Sequence, residues 1–131
     1  MISKIDHIGV AVKSIQEVIN VYRDGLGLSI EGIEEVEEQK VRAAVFPIGE
    51  NRIELLESTD PEGPIAKHIM KRGEGIHHIA LRVENIEETM AMLMEKGVSL
   101  IDNQPRMGVG GSKIAFVHPK LTKILLELVE H

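Results

Sequence analysis

The stretch "GEGIHHIAL" at residues 73–81 decides the fold, because it places two adjacent histidines at the start of an apolar strand. An earlier stretch, "KIDHIGVAV" at residues 4–12, has the same pattern. A shift of 71 positions aligns His7 with His78 and extends the match through the following apolar residues. We therefore interpret the chain as an internal repeat in which His78, and not His77, is the counterpart of His7.

The repeat continues into a helix in each half. Each His-containing strand is followed by a polar residue and, three positions later, by a glutamate: Ser14 with Glu17, and Asn85 with Glu88. This spacing is typical of a helix N-terminus, since the two side chains satisfy free backbone N–H groups. It predicts helices over about 15–25 and about 86–96, ending near glycine at Gly25 or Gly27 and at Gly97.

Three further strands complete each half. Apolar segments around 28–36 and 41–48 in the first half correspond to segments around 98–103 and 113–118 in the second. The last strand of each half, "RIELLE" and "ILLELVE", carries a glutamate among apolar residues, Glu54 and Glu127. We predict an α+β fold of two tandem βαβββ modules within one domain, residues 1–131. Module one covers about 4–60, a linker helix framed by Pro64 and Gly73 covers about 61–74, and module two covers about 75–131.

Strand alternation predicts which side chains share a face. His7 and His78 point away from the helix-covered side, together with small residues of their strands, and Glu54 and Glu127 do the same from theirs. A carboxylate among apolar strand residues is costly unless it is paired or bound to a cation. Two imidazoles and two carboxylates suit Co²⁺, Mn²⁺, Ni²⁺, Fe²⁺ or Zn²⁺, with open positions of the kind that catalytic sites keep.

The other histidines have simpler interpretations. His77 has the opposite strand parity and is expected to be structural. His68 is expected to be solvated on the linker helix, His118 before Pro119 is expected to be a turn residue, and His131 is the last residue.

Composition excludes several classes of function. A net charge of -6 argues against a nucleic-acid-binding protein, and the absence of cysteine excludes thiolate ligands and nucleophiles. No apolar run is long enough for a membrane span, and the start of the chain lacks a signal-peptide pattern, so we expect a cytoplasmic protein. With two phenylalanines, one tyrosine and no tryptophan, stacking on bases or sugars is not expected.

The chain resembles the vicinal oxygen chelate superfamily and, more closely, the methylmalonyl-CoA epimerase family. The resemblance runs nearly end to end, through "DHIGVAV", "IELLE", "KRGEGIHHIAL" and "PRMGVGGSKIAFVHPK". It implies a cup-shaped, metal-centred sheet, with a divalent ion, Co²⁺ above all, bound by four ligands: His7, Glu54, His78 and Glu127. The family can have glutamine at the position of Glu54.

The resemblance also implies the reaction, which interconverts the 2R and 2S forms of methylmalonyl-CoA through an enolate. The family's base in the "EQ" stretch falls on Glu38, and Glu127 acts on the other face of the substrate carbon. Composition alone favours a solvated acidic run for "EGIEEVEEQK", which also contains Glu34, Glu35 and Glu37. The resemblance further implies a homodimer.

The loop "PRMGVGGSK" is a candidate for substrate binding. Its glycines leave backbone N–H groups accessible, and Arg106, Ser112 and Lys113 are suited to a carboxylate or phosphate. An ordinary flexible hairpin connection explains the same residues equally well. Two rival functions remain open: a glyoxalase I-like lyase acting on a glutathione hemithioacetal, and a metal-free small-molecule binding module. An extradiol dioxygenase fits less well, because its ligand set has two His and one Glu.

Overall fold

The computed structural model describes residues 1–131, and the contacts between them divide the chain into two compact units. The first unit is His7–His77, and the second unit combines Met1–Asp6 with His78–His131. None of the helices has the length and apolar character needed to cross a membrane.

The first unit contains four strands, a helix packed on them and the linker helix. Its elements are β1 (Ile2–Ala11, of which His7–Ala11 belong here), α1 (Ile15–Asn20) with a π-helical turn (Val21–Gly25), β2 (Gly32–Val36), a 3₁₀ turn (Glu37–Gln39), β3 (Val41–Ile48), β4 (Asn51–Ser58) and α2 (Pro64–Arg72). The strand order is β1-β4-β3-β2, with β1 and β4 parallel and the other pairs antiparallel.

The second unit repeats this plan. Its elements are β5 (Gly75–Val83, of which His78–Val83 belong here), α3 (Ile86–Glu95), β6 (Arg106–Met107), a 3₁₀ turn (Val109–Gly111), β7 (Lys113–Val117), α4 (Pro119–Thr122) and β8 (Leu126–Glu130). The strand order is β5-β8-β7-β6, with β5 and β8 parallel and the other pairs antiparallel. The predicted α+β class with two repeated modules is therefore confirmed.

Each unit buries one face of its strands under a helix. In the first unit, α1 and the residues after it cover an apolar cluster: Val12, Ile15, Ala44, Phe46 and Leu55. In the second unit, α3 covers the corresponding cluster: Val83, Ile86, Met90, Ala115, Val117 and Leu128. These are the faces that strand alternation predicts for the core, so the opposite faces are left for His7, Glu54, His78 and Glu127.

The helix N-termini differ from the predicted capping boxes. Asn85 does accept a hydrogen bond from the Glu88 N–H, at 3.0 Å, but Ser14 makes no capping hydrogen bond through its side chain. In each unit, a glutamate at the end of the last strand accepts a hydrogen bond from the first residue of the helix. Glu57 accepts from the Ile15 N–H, and Glu130 accepts from the Ile86 N–H, each at 2.8 Å.

The predicted strand at 98–103 does not form. Leu100 makes one isolated bridge with Val117, and the two-residue strand β6 follows later. The strand is interrupted because the Phe116 N–H donates to the Asp102 carboxylate at 2.8 Å and is not available to a strand carbonyl. The strand predicted from residue 28 begins only at Gly32. The linker helix is confirmed, with Pro64 in its first turn and Gly73 after its last residue at φ +82°.

Candidate functional site

The first unit brings His7 and Glu54 together. They lie on the neighbouring parallel strands β1 and β4, where Gly9 pairs with Glu54 in the register. Both side chains are buried, and His7 Nδ1 lies 3.3 Å from Glu54 Oε2. Because Ile53 and Leu55 pack under α1, alternation turns the Glu54 side chain to the opposite face.

The second unit repeats the pair with His78 and Glu127. They lie on the parallel strands β5 and β8, and His78 Nε2 is 3.4 Å from Glu127 Oε1, with both residues buried. The His78 ring meets the Phe116 ring edge-on, at a centroid distance of 5.8 Å and an angle of 87°. The same face of the unit carries an apolar cluster: Ala80, Ile114 and Val129, with Phe116 against it.

The chemistry of these two pairs fits a divalent metal ion. Each pair belongs to a buried group whose ligand atoms lie close enough to hold an ion. Metal–nitrogen and metal–oxygen bonds of about 2.0–2.2 Å place neighbouring ligand atoms roughly 3.0–3.5 Å apart. The separations of 3.3 Å for His7–Glu54 and 3.4 Å for His78–Glu127 match this spacing. A bound cation would also compensate the cost of burying the carboxylate of either pair.

His77 does not share the environment of His78. Its ring contacts that of His68 on α2, edge-on, at a centroid distance of 4.8 Å and an angle of 79°. Burial, and then the nearby His68, lower the pKa of His77 to about 4. Burial also lowers the pKa of His68, followed by the charge of Arg72. The expectation of a solvated His68 is therefore wrong, because half-buried His68 packs against His77.

Glu38 lies in an exposed turn of the first unit. The turn Glu37–Gln39 follows β2 directly, and Lys40 closes it in the left-handed conformation at φ 56°. The Lys40 N–H donates to the Glu37 carbonyl at 3.1 Å, and the Lys40 carbonyl accepts from the Thr59 N–H at 2.9 Å. The backbone on both sides of Glu38 is thus held while its carboxylate is exposed.

The neighbouring acidic residue Glu35 has a different role. Glu35 Oε1 accepts from Arg42 Nη2 at 2.8 Å, and Arg42 Nη1 donates to Glu57 Oε2 at 2.9 Å. Glu35, Arg42 and Glu57 stand opposite one another on β2, β3 and β4. The Glu35 hydrogen bond, and then the Glu57 charge, raise the pKa of Arg42. Glu35 is therefore part of an ion-pair ladder across the sheet.

The three residues of the predicted substrate loop lie in different surroundings. Buried Ser112 donates its hydroxyl to the Val109 carbonyl at 2.8 Å and stabilises the turn. Gly110 and Gly111 both have positive φ, +70° and +72°, which explains the need for glycine there.

Arg106 and Lys113 have different carboxylate partners. Lys113 Nζ lies 3.2 Å from Glu87 Oε2, at the N-terminal turn of α3, so its charge is already paired with a carboxylate. Arg106 Nε lies 2.9 Å from Asp102 Oδ1, and the Arg106 guanidinium carbon is 5.7 Å from the centroid of the Phe116 ring. Arg106 therefore contacts the ring that also meets His78.

Comparison with known proteins decides the family. The family model for the Glyoxalase/Bleomycin resistance protein/Dioxygenase superfamily matches residues 6–116. The chain belongs to this superfamily. The resemblance inferred from the sequence is therefore confirmed at the level of the superfamily.

Several proteins similar to this chain are named epimerases. A mitochondrial methylmalonyl-CoA epimerase of Dictyostelium discoideum is 32% identical over 98% of this chain and 79% of its own length. An ethylmalonyl-CoA/methylmalonyl-CoA epimerase of Cereibacter sphaeroides is 30% identical over 92% of this chain and 91% of its own. The structure of a substituted Streptomyces coelicolor methylmalonyl-CoA epimerase with 2-nitronate-propionyl-CoA is 36% identical, with a TM-score of 0.95 over 99% of this chain and 98% of that one. The predicted resemblance to epimerases is also confirmed.

Two residues that contact Arg106 and His78 were missed in the sequence. Asp102 contacts Arg106 and the Phe116 backbone, and Phe116 contacts His78. Two signals were present. Asp102 precedes Arg106 by four positions in "DNQPR". Phe116 follows Ile114 by two positions, so both side chains lie on the strand face opposite the helix.

His118 is confirmed as a turn residue, since its Nδ1 accepts from the Lys120 N–H at 3.1 Å at the start of α4.

Proposed function

We propose that the protein is a methylmalonyl-CoA epimerase that interconverts the 2R and 2S forms of its substrate. The observation that carries the proposal is the recurrence of a buried His–Glu pair at equivalent strands of both units, His7 with Glu54 and His78 with Glu127. The named activities of relatives that match most of the chain support it.

We propose that these four residues together hold one divalent metal ion, with Co²⁺ preferred over Mn²⁺, Ni²⁺, Zn²⁺ and Fe²⁺. Imidazole and carboxylate are the ligand types that such ions accept. When bound, the ion acts as a Lewis acid that stabilises negative charge on substrate oxygens. The two glutamates, Glu54 and Glu127, make the site more negative than one with a single carboxylate, which favours a cation.

Epimerisation requires two proton carriers on opposite faces of the carbon between the thioester and the carboxylate. We assign these roles to Glu38 and Glu127. One carboxylate removes the α-proton, whose C–H electron pair moves into the enolate, and the other carboxylic acid returns a proton to the opposite face. The reverse reaction exchanges the two roles. The exposed Glu38 carboxylate, on a turn held at both ends, is suited to proton exchange with water between turnovers.

Substrate binding is assigned to Arg106, Ser112 and Lys113. Arg106 supplies a positive charge next to Phe116, the ring that contacts His78. Ser112 shapes the glycine turn through its hydrogen bond to Val109, and Lys113 is exposed at the start of β7. We further propose that the protein is a homodimer, since exposed strand edges are commonly covered by a second chain.

An epimerisation assay with each pure enantiomer of methylmalonyl-CoA tests this proposal. Metal-loaded protein should racemise both, while chelator-treated protein should lose activity and recover it on addition of Co²⁺. Conversion of a glutathione hemithioacetal without epimerisation would instead indicate a glyoxalase I-like lyase. Binding without turnover of either compound, in a protein that retains no metal, would indicate a binding module.

The Glu38 assignment has its own test. Replacing Glu38 with glutamine should lower epimerisation by roughly 10²–10⁴-fold, the usual contribution of a positioned general base. Proton exchange from the enantiomer served by Glu127 should fall less than exchange from the other. The matched control is Glu35→Gln, because Glu35 is already paired with Arg42. Equal activity of Glu38→Gln and Glu35→Gln would move the base to Glu34 or Glu37.

A further inference from the structure

Asp102 contacts two elements of the His78 face at once. Its Oδ1 lies 2.9 Å from Arg106 Nε, and its Oδ2 accepts from the Phe116 N–H at 2.8 Å. The Asp102 side chain is 11% exposed, so both contacts are shielded from water. The Asp102 carboxylate therefore positions both the Arg106 guanidinium and the backbone of Phe116, whose ring contacts that guanidinium.

Arg106 is held in one orientation but is only partly satisfied. Its Nε is buried and has no well-aligned hydrogen bond, although Asp102 Oδ1 is at ion-pair distance. The guanidinium carbon is 5.7 Å from the centroid of Phe116, within the range of a cation–π contact. The structure gives the guanidinium no second acidic partner, and the side chain is 39% exposed. The two terminal nitrogens are thus available for an incoming anion.

A guanidinium binds a carboxylate best through two parallel N–H groups, and a point charge such as lysine cannot reproduce this geometry. The Phe116 ring contacts both Arg106 and His78, so Arg106 reaches the face of the unit that carries the His78–Glu127 pair. Lys113, the other cation of this segment, is paired with Glu87. Arg106 is therefore the cation best placed for a carboxylate of the substrate.

We propose that Arg106 recognises the free carboxylate of the acyl group through its terminal nitrogens, and that Asp102 is the positioning residue that orients it. This inference rests on the proposed function, because it assumes a carboxylate-bearing acyl-CoA. It predicts that the Asp102–Arg106 unit discriminates an acyl-CoA with a free carboxylate from one without it. The thioester and the coenzyme A portion do not depend on this unit.

The test compares the binding of methylmalonyl-CoA and propionyl-CoA, which lacks the carboxylate, by titration calorimetry on metal-loaded protein. Arg106→Gln should weaken methylmalonyl-CoA binding by roughly 10–100-fold, the worth of charged hydrogen bonds, and should leave propionyl-CoA binding unchanged. Asp102→Asn keeps an acceptor for the Phe116 N–H but removes the charge beside Arg106. It should weaken methylmalonyl-CoA binding by roughly 5–20-fold and raise KM more than it lowers kcat.

The double variant and a control separate positioning from general stability. Asp102→Asn should add little to Arg106→Gln, since orienting a missing guanidinium has no effect. Glu95→Gln, at an exposed position of α3 in the same unit, should leave both affinities unchanged. Arg106→Lys, which keeps the charge and serves if Asp102→Asn fails to fold, should also lose selectivity.

Equal losses for the two ligands, or full additivity of the two substitutions, would overturn the inference. Wild-type protein that binds methylmalonyl-CoA no better than propionyl-CoA would instead contradict the proposed function. If wild-type protein epimerises methylmalonyl-CoA but Asp102→Asn and Arg106→Lys still bind methylmalonyl-CoA in preference to propionyl-CoA as well as wild type does, only this inference is contradicted.

Discussion

Glu57 and Glu130 offer a test of the internal repeat, because each holds the first N–H of a helix from a neighbouring strand. The acceptor distances are both 2.8 Å, and the donors belong to Ile15 and Ile86, which are 3% and 0% exposed. Leucine at either glutamate removes the acceptor and leaves a shielded N–H unpaired. We therefore expect both Glu57→Leu and Glu130→Leu to destabilise the protein, and Glu57→Leu somewhat more, because it also removes the acceptor of the Arg42 hydrogen bond.

The magnitude follows from these contacts. An unpaired buried donor costs about 1–3 kcal/mol, and loss of a negative charge at a helix N-terminus adds about 0.3–1 kcal/mol. Each leucine variant should therefore lose about 1.3–4 kcal/mol. With an unfolding entropy of about 2.1 cal/mol/K per residue, this corresponds to a decrease in Tm of roughly 5–15 °C. Glutamine keeps a neutral acceptor, so Glu57→Gln and Glu130→Gln should lose only about 0.3–1 kcal/mol.

Urea unfolding of metal-free protein at neutral pH, followed by far-UV circular dichroism, measures these differences. The exposed Glu62 provides the control, and Glu62→Leu should change the free energy of unfolding by no more than about 0.5 kcal/mol. If either leucine variant at Glu57 or Glu130 were as stable as wild type, the glutamate would not be capping its helix. A loss in the glutamine variants as large as that in the leucine variants would show that charge, and not the acceptor, decides.

Three further predictions concern single positions. Alanine at His78 should abolish stoichiometric Co²⁺ binding by dialysed protein while alanine at His77 preserves it, and the reverse result by elemental analysis would exchange their roles. Because burial holds the pKa of His77 near 4 in the folded state, against an ordinary histidine pKa of 6.5, stability due to neutral His77 is complete above pH 6.5 and is lost as pH falls toward 4. The loss should approach about 3–4 kcal/mol in urea titrations of metal-free protein, and an identical pH profile in His77→Gln would refute it. Gly108→Ala should destabilise by about 1–3 kcal/mol, since its methyl group would lie 2.6 Å from Ile114 Cγ2, and an unchanged Tm would show that the loop relaxes freely.

Strand alternation predicted the essential arrangement because it depends only on local geometry. His7 and Glu54 share a face, as do His78 and Glu127, and each pair is buried opposite a helix-covered core. The repeat also identified His78 over His77 as the equivalent of His7. Such patterns survive folding because a one-residue slip would move every apolar side chain to the wrong face.

Contacts between distant residues were beyond this kind of argument. Glu57 and Glu130 stand at equivalent positions of "RIELLE" and "ILLELVE", but the use of Glu57 as a helix cap depends on β4 lying beside the start of α1. The strand expected at 98–103 failed because a side chain, Asp102, took the hydrogen bond of Phe116. His68 was wrongly expected to lie in solvent. Its packing against His77 joins a helix to a strand, and a local sequence pattern does not show such a contact.

Proton exchange at the α-carbon of methylmalonyl-CoA in deuterated water tests the proposed chemistry most directly. The measurement follows deuterium incorporation by mass spectrometry, with each pure enantiomer, in metal-loaded and chelator-treated protein. We expect both enantiomers to gain one deuterium at the α-carbon in metal-loaded protein, exchange to fall to background after chelation, and Co²⁺ to restore it. No exchange in metal-loaded protein, or undiminished exchange in protein verified to be free of metal, would contradict a metal-dependent epimerase with paired carboxylate bases.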